Sequence, residues 1–200
     1  MGNDFLLIIF VKNPVKGRVK TRLAITIGDD KALEIYKKML VYTLKISKEL
    51  DCKKAVFYSD KIDEHDMWHK AGFDQFVQRG NDLGERMHNA FRYAFSQNFS
   101  RVVIIGSDCL ELEKEMMEKA FQALMDNDVV LGPAKDGGYY LIGMKKLYPA
   151  LFQNKQWSTS QVFQNTMKDI GRLKIRTKLL PVLSDIDEEK DLYNNKIIEP

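Results

Sequence analysis

Short apolar runs alternate with longer amphipathic segments along the whole chain. Residues 5–11 are all apolar, and residues 101–106 contain four β-branched side chains in a row. Runs of this kind are typical of strands that are buried on both faces of a parallel sheet. Between them, residues 31–50 carry apolar side chains at helical spacing, which predicts an amphipathic helix. The pattern therefore predicts a three-layer α/β fold around a mostly parallel sheet.

The remaining elements follow from the same pattern. Further strands are predicted at residues 55–59, 73–77, 128–132, 139–144 and 174–180, and further helices at residues 83–95, 113–125 and 158–170, with a last helix opening near residue 185. The strand at 139–144 follows its predecessor so closely that we expect it to break the parallel pattern. No repeat, linker or low-complexity segment divides the chain, so its 200 residues are expected to form a single domain.

Composition narrows the class of protein. The chain is 44% hydrophobic and 30% charged, and its formal net charge is only +3, a balance that does not favour nucleic-acid binding. Its two cysteines, Cys52 and Cys109, have no disulfide or metal-ligand spacing, which favours a reducing, cytoplasmic setting. The first apolar run is too short to cross a bilayer, so we expect no membrane span.

The candidate chemistry begins directly after the first strand. Residues 12–22, called the basic loop below, contain no acid and five cations: Lys12, Lys16, Arg18, Lys20 and Arg22. Pro14 and Gly17 interrupt regular structure, which predicts a loop at the carboxyl end of a strand, where α/β sheets bind ligands. Clustered Lys and Arg suit phosphate oxygens, so the segment predicts a site for a di- or triphosphate. The alternative is a solvated basic loop. The glycine patterns of a P-loop and of a dinucleotide site are both missing.

Carboxylates follow two other predicted elements. Asp108 comes just after the strand at 101–106, where a divalent cation bridging phosphate oxygens is a natural use of one carboxylate. The alternative is that Ser107 or Asp108 merely caps the next helix. Asp185 and Asp187 precede the last helix, and they are candidates either to complete the metal site or to hold that helix in place.

Two further loops carry candidate site residues. Asp82 is placed to cap a helix whose first turn contains Arg86, and a cation there opposes the helix dipole. We therefore expect Arg86 to face a ligand or a carboxylate, the alternative being a pair with a neighbouring acid. Asp136, Gly137 and Gly138 form a turn that allows close approach to a ligand but also fits a plain hairpin. Asp136 is a candidate to bind a sugar hydroxyl or to act as a base.

Four motifs occur in a fixed order: Lys-x-Pro-x-x-Gly-x-x-Lys-Thr-Arg-Leu, Gly-x-Asp-Leu-Gly-x-Arg-Met, Gly-Ser-Asp-Cys and Gly-Pro-x-x-Asp-Gly-Gly-Tyr-Tyr-Leu-Ile-Gly. Together they resemble the DUF2064 family of glycosyltransferase-like bacterial proteins, within the nucleotide-diphospho-sugar transferase (GT-A) superfamily. The resemblance runs from about residue 5 to residue 192. The basic loop is also similar to that of phospholactate guanylyltransferases, and Asp-Ile-Asp near the end to a segment of sugar and isoprenoid-precursor nucleotidyltransferases.

The resemblance implies a GT-A-type fold and a role for each motif. Asp108 would bind Mg²⁺ or Mn²⁺, and the turn at Asp136 would lie beside the acceptor or sugar; Asp187 stays a candidate second ligand from its position alone. The residues implied to hold the nucleotide phosphates are Lys12, Gly17, Lys20 and Arg22. We add Thr21, Arg86, Gly137 and Gly138 as candidate phosphate-binding residues, and Lys20, Arg22 and Asp136 as candidate catalytic residues.

The resulting expectation is a transferase that moves a sugar from a nucleotide-diphosphate sugar to a small acceptor. One alternative is a nucleotidyltransferase that joins a nucleoside triphosphate to a phosphorylated metabolite, and another is a nucleotide-binding protein without catalysis. Two departures from the family pattern bear on this choice. Leu110 replaces the usual Pro, and no Asp-x-Asp metal motif is formed at Asp108, which favours nucleotidyl transfer over glycosyl transfer.

Overall fold

The computed structural model describes residues 4–193. Within that range, seven strands form one sheet in the order β3-β2-β1-β4-β6-β5-β7. The strands are β1 (Phe5–Val11), β2 (Lys53–Tyr58), β3 (Asp74–Val77), β4 (Arg101–Ile105), β5 (Val129–Pro133), β6 (Tyr139–Met144) and β7 (Thr177–Leu179). The helices are α1 (Thr21–Ile27), α2 (Asp29–Lys48), α3 (Met67–Lys70), α4 (Leu83–Ser96), α5 (Lys114–Asp126), α6 (Val162–Arg172) and α7 (Glu189–Tyr193), with a 3₁₀ turn at Pro149–Leu151.

The sheet is parallel except at one strand. β6 runs antiparallel to both of its neighbours, β4 and β5, which confirms the expected break in the pattern. The chain proceeds from β1 outward to β2 and β3, and then returns to place β4 on the other side of β1. Strand order therefore reverses between β1 and β4. In open α/β sheets a crevice forms at the carboxyl ends of the strands at such a point.

Helices cover both faces of the sheet, so the predicted three-layer α/β fold is confirmed. In β1, Leu6 and Ile8 belong to a core cluster that includes residues of α4 and α6. Leu7 and Ile9 belong to a second cluster, with residues of α2 and α5. Each face of β1 is therefore buried, which explains why its sequence shows no polar alternation. None of the helices within residues 4–193 is long and apolar enough to cross a bilayer.

Some boundaries differ from those predicted by the sequence. The sequence predicts no regular structure in the basic loop. However, α1 begins at Thr21, within that loop, and buries Leu23 completely. At the next helix, Asp29 and Asp30 lie in the first turn of α2 rather than at its cap, where their charge still favours the helix dipole. The helix α6 starts at Val162 without a side-chain cap, later than predicted.

The segment after β7 crosses the carboxyl edge of the sheet. The Leu183 amide donates to the Pro133 carbonyl, and the Ile186 amide donates to the carbonyl of Asp108. The Ile186 side chain is fully buried. These contacts hold the following residue, Asp187, at the loop that carries Asp108.

Candidate active site

A cleft of about 870 Å³ opens at the carboxyl ends of β1 and β4. Its walls include the end of β1 with the basic loop, the loop after β4, the start of α4, and the first residues of β6. The volume lies in the range of sites for small molecules and cofactors, and the cleft occupies the point at which the strand order reverses. The fold therefore places the predicted chemistry where this class of sheet binds ligands.

An ammonium group bridges two carboxylates in this cleft. Lys20 Nζ lies 2.9 Å from Asp108 Oδ2 and 3.1 Å from Asp187 Oδ1. The Lys20 side chain is only 5% exposed, whereas those of Asp108 and Asp187 are 39% and 34% exposed. We call these three side chains the Lys20 centre. The fold thus brings the basic loop into direct contact with the loop that carries Asp108.

Electrostatics keep Lys20 and Asp108 ionised. Burial by itself lowers the pKa of the Lys20 ammonium, but the two neighbouring carboxylates outweigh it, so the pKa is raised overall. Burial likewise acts to raise the pKa of Asp108, yet Lys20 and, more weakly, Lys12 hold it below its ordinary value. Charge and hydrogen bonding thus preserve an ion pair that desolvation opposes.

The pKa of Asp185 is shifted in the opposite direction from that of Asp108. Burial, together with the charges of Asp108 and Asp136, raises the pKa of Asp185 to about 8, so this group is largely neutral at pH 7. Its Oδ1 is buried and has no hydrogen-bond partner within the described residues. Asp185 does not line the cleft, whereas Asp187 does. Of the two candidates, only Asp187 therefore faces the position that a ligand would occupy.

Acids of the protein also balance other cations of the basic loop. Arg22 Nη2 lies 2.7 Å from Glu188 Oε1, and Nη1 lies 3.6 Å from Asp187 Oδ2. The Arg22 side chain remains 63% exposed. Lys16 pairs with Asp30 at the surface. Acids of the chain itself therefore neutralise part of the charge of the basic loop, which on sequence grounds was assigned to an external anion.

The alternative roles for Ser107 and Asp108 as helix caps are wrong. The residue that precedes α5 is Glu113, several positions further along the chain. Instead, Ser107 Oγ lies 3.2 Å from the hydroxyl of Tyr36, and Asp108 pairs with Lys20. Tyr36 also contacts the backbone of Lys12, and sequence analysis did not identify it as a site residue. The available signal was a hydroxyl-bearing side chain on the buried face of α2.

Arg86 lines the cleft from the first turn of α4, as expected. Its Nε donates to the Gly80 carbonyl at 3.1 Å. Asp82 caps the helix by accepting from the Glu85 amide, as the sequence predicted. Among residues 4–193, no carboxylate pairs with Arg86. The alternative of a pair with a neighbouring acid is therefore wrong for the described residues, and the expectation that Arg86 faces a ligand stays a prediction.

The Asp-Gly-Gly turn packs against protein rather than lining the cleft. The Gly138 amide donates to Asp136 Oδ1 at 2.8 Å, and the Gly137 carbonyl accepts from the Phe163 amide. A Cβ on Gly137 would overlap the Ser160 carbonyl. The hairpin interpretation thus describes the turn, and its close approach is to another segment of backbone. Neither these three residues nor Gly17 line the cleft, so their ligand roles stay predictions.

An aromatic wall closes the end of the cleft near β6. Trp157 packs directly on Gly84, where a Cβ would collide with the indole ring. The Trp157 and Tyr139 rings meet edge to face, with centroids 6.5 Å apart. Lys155 also lines this end, and it forms an ion pair with Asp169. Sequence analysis missed Lys155 because nothing in its neighbourhood marks it as part of a site.

The Lys20 centre has donor chemistry that fits a hard divalent cation. Asp108 and Asp187 hold the Lys20 ammonium between them, but both carboxylates remain partly exposed, and carboxylate oxygens are the ligands that Mg²⁺ and Mn²⁺ prefer. Within residues 4–193, no three His, Cys, Asp or Glu side chains form a complete metal cage. Mg²⁺ does not need one, because it usually keeps several waters and binds through one or two carboxylates together with substrate phosphates.

The chain is similar in sequence to a known protein family and to a solved structure. The family described as "Uncharacterized protein conserved in bacteria (DUF2064)" matches residues 43–159. A solved structure from Desulfovibrio desulfuricans G20, provisionally named a nucleotide-diphospho-sugar transferase, is 33% identical with a TM-score of 0.86, and the match covers 94% of this chain and 84% of that one. No curated protein shows significant sequence similarity to the chain.

More distant structures share the fold. The 4-diphosphocytidyl-2C-methyl-D-erythritol synthase of Anaerococcus prevotii DSM 20548 is 14% identical with a TM-score of 0.58, over 95% of each chain. Glucosyl-3-phosphoglycerate synthase of Mycobacterium tuberculosis, solved with Mn²⁺, UDP and glucosyl-3-phosphoglycerate, is 12% identical with a TM-score of 0.54, over 96% of this chain and 75% of that one. At these identities the likeness concerns the fold alone.

Proposed function

Since the chain belongs to the DUF2064 family, we propose that it is a transferase acting on a nucleotide-activated donor, which moves a sugar from a nucleotide-diphosphate sugar to a small acceptor. The 33%-identical relative carries the name of that enzyme class, which supports the choice of donor. The chemistry must come from the site itself, because one fold can serve many reactions.

The observation that carries the proposal is the Lys20 centre. A buried ammonium lies between two partly exposed carboxylates, at the strand ends where this fold class binds ligands. Lys12, Arg22 and Arg86 line the same cleft and add positive charge around it. This arrangement suits a diphosphate, whose oxygens would be shared between cationic side chains and a metal held by the carboxylates.

Each residue of the cleft then has a task. Lys12, Lys20 and Arg22 bind the donor phosphates, with Thr21 beside them, and stabilise the charge that develops on the leaving diphosphate. Arg22 can turn from Glu188 toward a phosphate because its side chain is largely exposed. Asp108 and Asp187 would hold Mg²⁺ or Mn²⁺, which when bound supplies further electrostatic stabilisation of the leaving group.

Fewer contacts in the structure guide the assignment of residues to the acceptor than to the donor. Arg86, anchored by its Nε, has its remaining guanidinium nitrogens for an anionic group of the donor or acceptor. Asp136 is the candidate base from the sequence motif, together with Gly137 and Gly138 as neighbours of the acceptor. This assignment needs the turn to approach the cleft when substrate binds.

A second candidate reaction is nucleotidyl transfer to a phosphorylated metabolite. It is favoured by the origin of the two carboxylates, because Asp108 and Asp187 come from separate loops and no Asp-x-Asp pair is formed at Asp108. The fold shared with the Anaerococcus prevotii enzyme is compatible with this reaction. The same cations and the same metal ligands would then stabilise departing pyrophosphate instead of a nucleoside diphosphate.

A binding screen followed by product analysis tests the proposal. Nucleoside triphosphates and nucleotide sugars that bind the folded protein are expected to raise its melting temperature, more strongly with Mn²⁺ than without it. Stabilising donors are then incubated with a panel of small acceptors. Free nucleoside diphosphate indicates glycosyl transfer, and pyrophosphate indicates nucleotidyl transfer. Binding without turnover across the panel favours a nucleotide-binding protein, and no stabilisation by any nucleotide ends the proposal.

A further inference from the structure

The two strands that flank the crevice separate before they reach the Lys20 centre. Backbone pairing of β1 with β4 extends to Ile9 opposite Ile105. Beyond these residues β1 pairs only with β2, as far as Val11, and the Gly106 amide after β4 pairs with the Tyr140 carbonyl of β6. The sheet itself therefore does not fix the distance between the two loops that carry the site.

One side chain spans this gap. The Tyr36 hydroxyl accepts a hydrogen bond from the Lys12 amide at 2.8 Å and lies 3.2 Å from the Lys12 carbonyl. The same oxygen lies 3.2 Å from Ser107 Oγ. Tyr36 comes from α2, and only 2% of its surface is exposed, so its ring is held by the core. A single buried oxygen thus contacts both strand ends.

We propose that Tyr36 is a positioning residue, whose hydroxyl fixes the separation of Lys12 and Ser107 and thereby holds the basic loop and Asp108 in register for a bound diphosphate. The proposal rests on the proposed function, since it assigns a task within that site. Tyr36 need not touch the substrate, because it acts through the backbone of Lys12 and through the residue next to Asp108.

The chemistry of the phenol suits this task. Its oxygen accepts from the Lys12 amide, and its one hydrogen can be donated either to the Lys12 carbonyl or to Ser107 Oγ. When Tyr36 donates to Ser107, the hydroxyl hydrogen of Ser107 is left for a group in the cleft. Burial raises the pKa of Tyr36 to about 12, so the hydroxyl keeps its hydrogen throughout the neutral range.

The same helix supplies a matched control. Tyr42 also lies on α2, and its hydroxyl donates to the Leu112 carbonyl at 3.0 Å, away from the cleft. Tyr36→Phe and Tyr42→Phe each remove one hydroxyl from this helix and keep the ring. We expect both variants to fold, with the larger fall in melting temperature for Tyr36→Phe, because its hydroxyl makes three buried contacts and that of Tyr42 makes one.

The readout is binding of pyrophosphate in the presence of Mn²⁺, measured by titration calorimetry, because a diphosphate is common to both candidate reactions. Tyr36→Phe is expected to weaken binding on the order of tenfold, as the loss of a positioning hydrogen bond implies. Tyr42→Phe is expected to change it less than about twofold. Ser107→Ala should weaken binding as well, and the double variant should lose less than the sum of the two single effects, since both act through one contact.

Each outcome separates the positioning role from the proposed function. If the wild-type protein binds pyrophosphate and Tyr36→Phe binds it equally well, the positioning role is wrong while the proposed function stands. The same conclusion follows if the two Tyr→Phe variants weaken binding equally, because the effect is then one of general stability. If Tyr36→Phe does not fold, wild-type affinity in Ser107→Ala refutes the role. If the wild-type protein does not bind pyrophosphate with Mn²⁺, the phosphate site itself is refuted.

Discussion

Lys20 and Asp108 are separated by 88 residues in the sequence, yet Lys20 Nζ lies 2.9 Å from Asp108 Oδ2. The contact joins the loop after β1 to the loop after β4. Asp187, in the segment after β7, contacts the same ammonium. The Lys20 centre therefore forms only when three segments that are distant in the sequence pack together. Its three charges also provide the most direct tests of the site.

Replacing Lys20 by Ala removes the cation from between two carboxylates and from the expected path of the donor phosphates. We expect turnover to fall on the order of 10²–10³-fold, the usual cost of losing a charged group that stabilises a transition state. Lys16→Ala is the control, because Lys16 belongs to the same loop but pairs with Asp30 outside the cleft. Steady-state kinetics measure the change, and circular dichroism checks the fold. Wild-type turnover in Lys20→Ala would remove the assigned role.

Arg22→Ala separates function from stability. The side chain is largely exposed, so loss of its pair with Glu188 should change the free energy of unfolding very little. Turnover is nevertheless expected to fall roughly 10²–10³-fold, because the guanidinium is assigned to the leaving diphosphate. Arg18→Ala, in the same loop but not in the cleft, should leave turnover unchanged. Equal rates in the two variants would contradict the assignment.

Asp108→Asn and Asp187→Asn test the metal site. Each substitution keeps the size of the side chain and removes a negative oxygen ligand, so Mn²⁺ affinity should fall by about tenfold or more. Mn²⁺ affinity is measured without substrate by a Mn²⁺ titration that is monitored by electron paramagnetic resonance. Asp30→Asn is the control, since that carboxylate pairs with Lys16 at the surface. Unchanged affinity in both cleft variants would show that the carboxylates serve only to hold Lys20.

The elements that sequence analysis predicted best are those specified locally. β1 and β4 are apolar runs with no polar alternation, and they lie where the sequence predicted them. The cap of α4 depends on Asp82 and the amide three residues later, a contact between near neighbours in the chain. The position of Asp108 at a strand end follows from β4 itself. Each of these features needs only a short stretch of sequence.

Other parts of the site depend on contacts between distant segments. Nothing near Tyr36 in the sequence shows that its hydroxyl reaches both Lys12 and Ser107. The counterions of the basic loop were missed for the same reason, since Glu188 is 166 residues from Arg22. A charge count restricted to one loop cannot include acids that folding brings to it.

The packing role of Gly137 makes a prediction about stability. Its φ is +89°, and a Cβ there would overlap the Ser160 carbonyl. Gly72 has a similar φ of +75° but open space around it. Gly72→Ala should therefore cost about 1 kcal/mol from backbone strain alone, whereas Gly137→Ala should cost roughly 2–4 kcal/mol in free energy of unfolding. Urea denaturation measures both. Equal costs would mean that the turn readily moves away from Ser160.

The stability that the contact between Asp128 and Arg176 contributes, next to β7, should decrease at low pH. Hydrogen bonds from Arg176 hold the pKa of Asp128 below its ordinary value. A lowered carboxyl pKa adds stability above the pKa of the unfolded chain, and this contribution is lost as the pH falls through the folded value. The difference in unfolding free energy between wild type and Asp128→Asn should thus be constant from about pH 6 to 8 and shrink below about pH 4. A difference that does not vary with pH would contradict this.

The route of the segment after β7 has a consequence for synthesis of the protein. Because Asp187 lies 167 residues after Lys20, a nascent chain emerging from the ribosome can form β1, β4 and most of the cleft before the second carboxylate exists. The Lys20 centre can therefore gain its second carboxylate only after the chain has been made as far as Asp187.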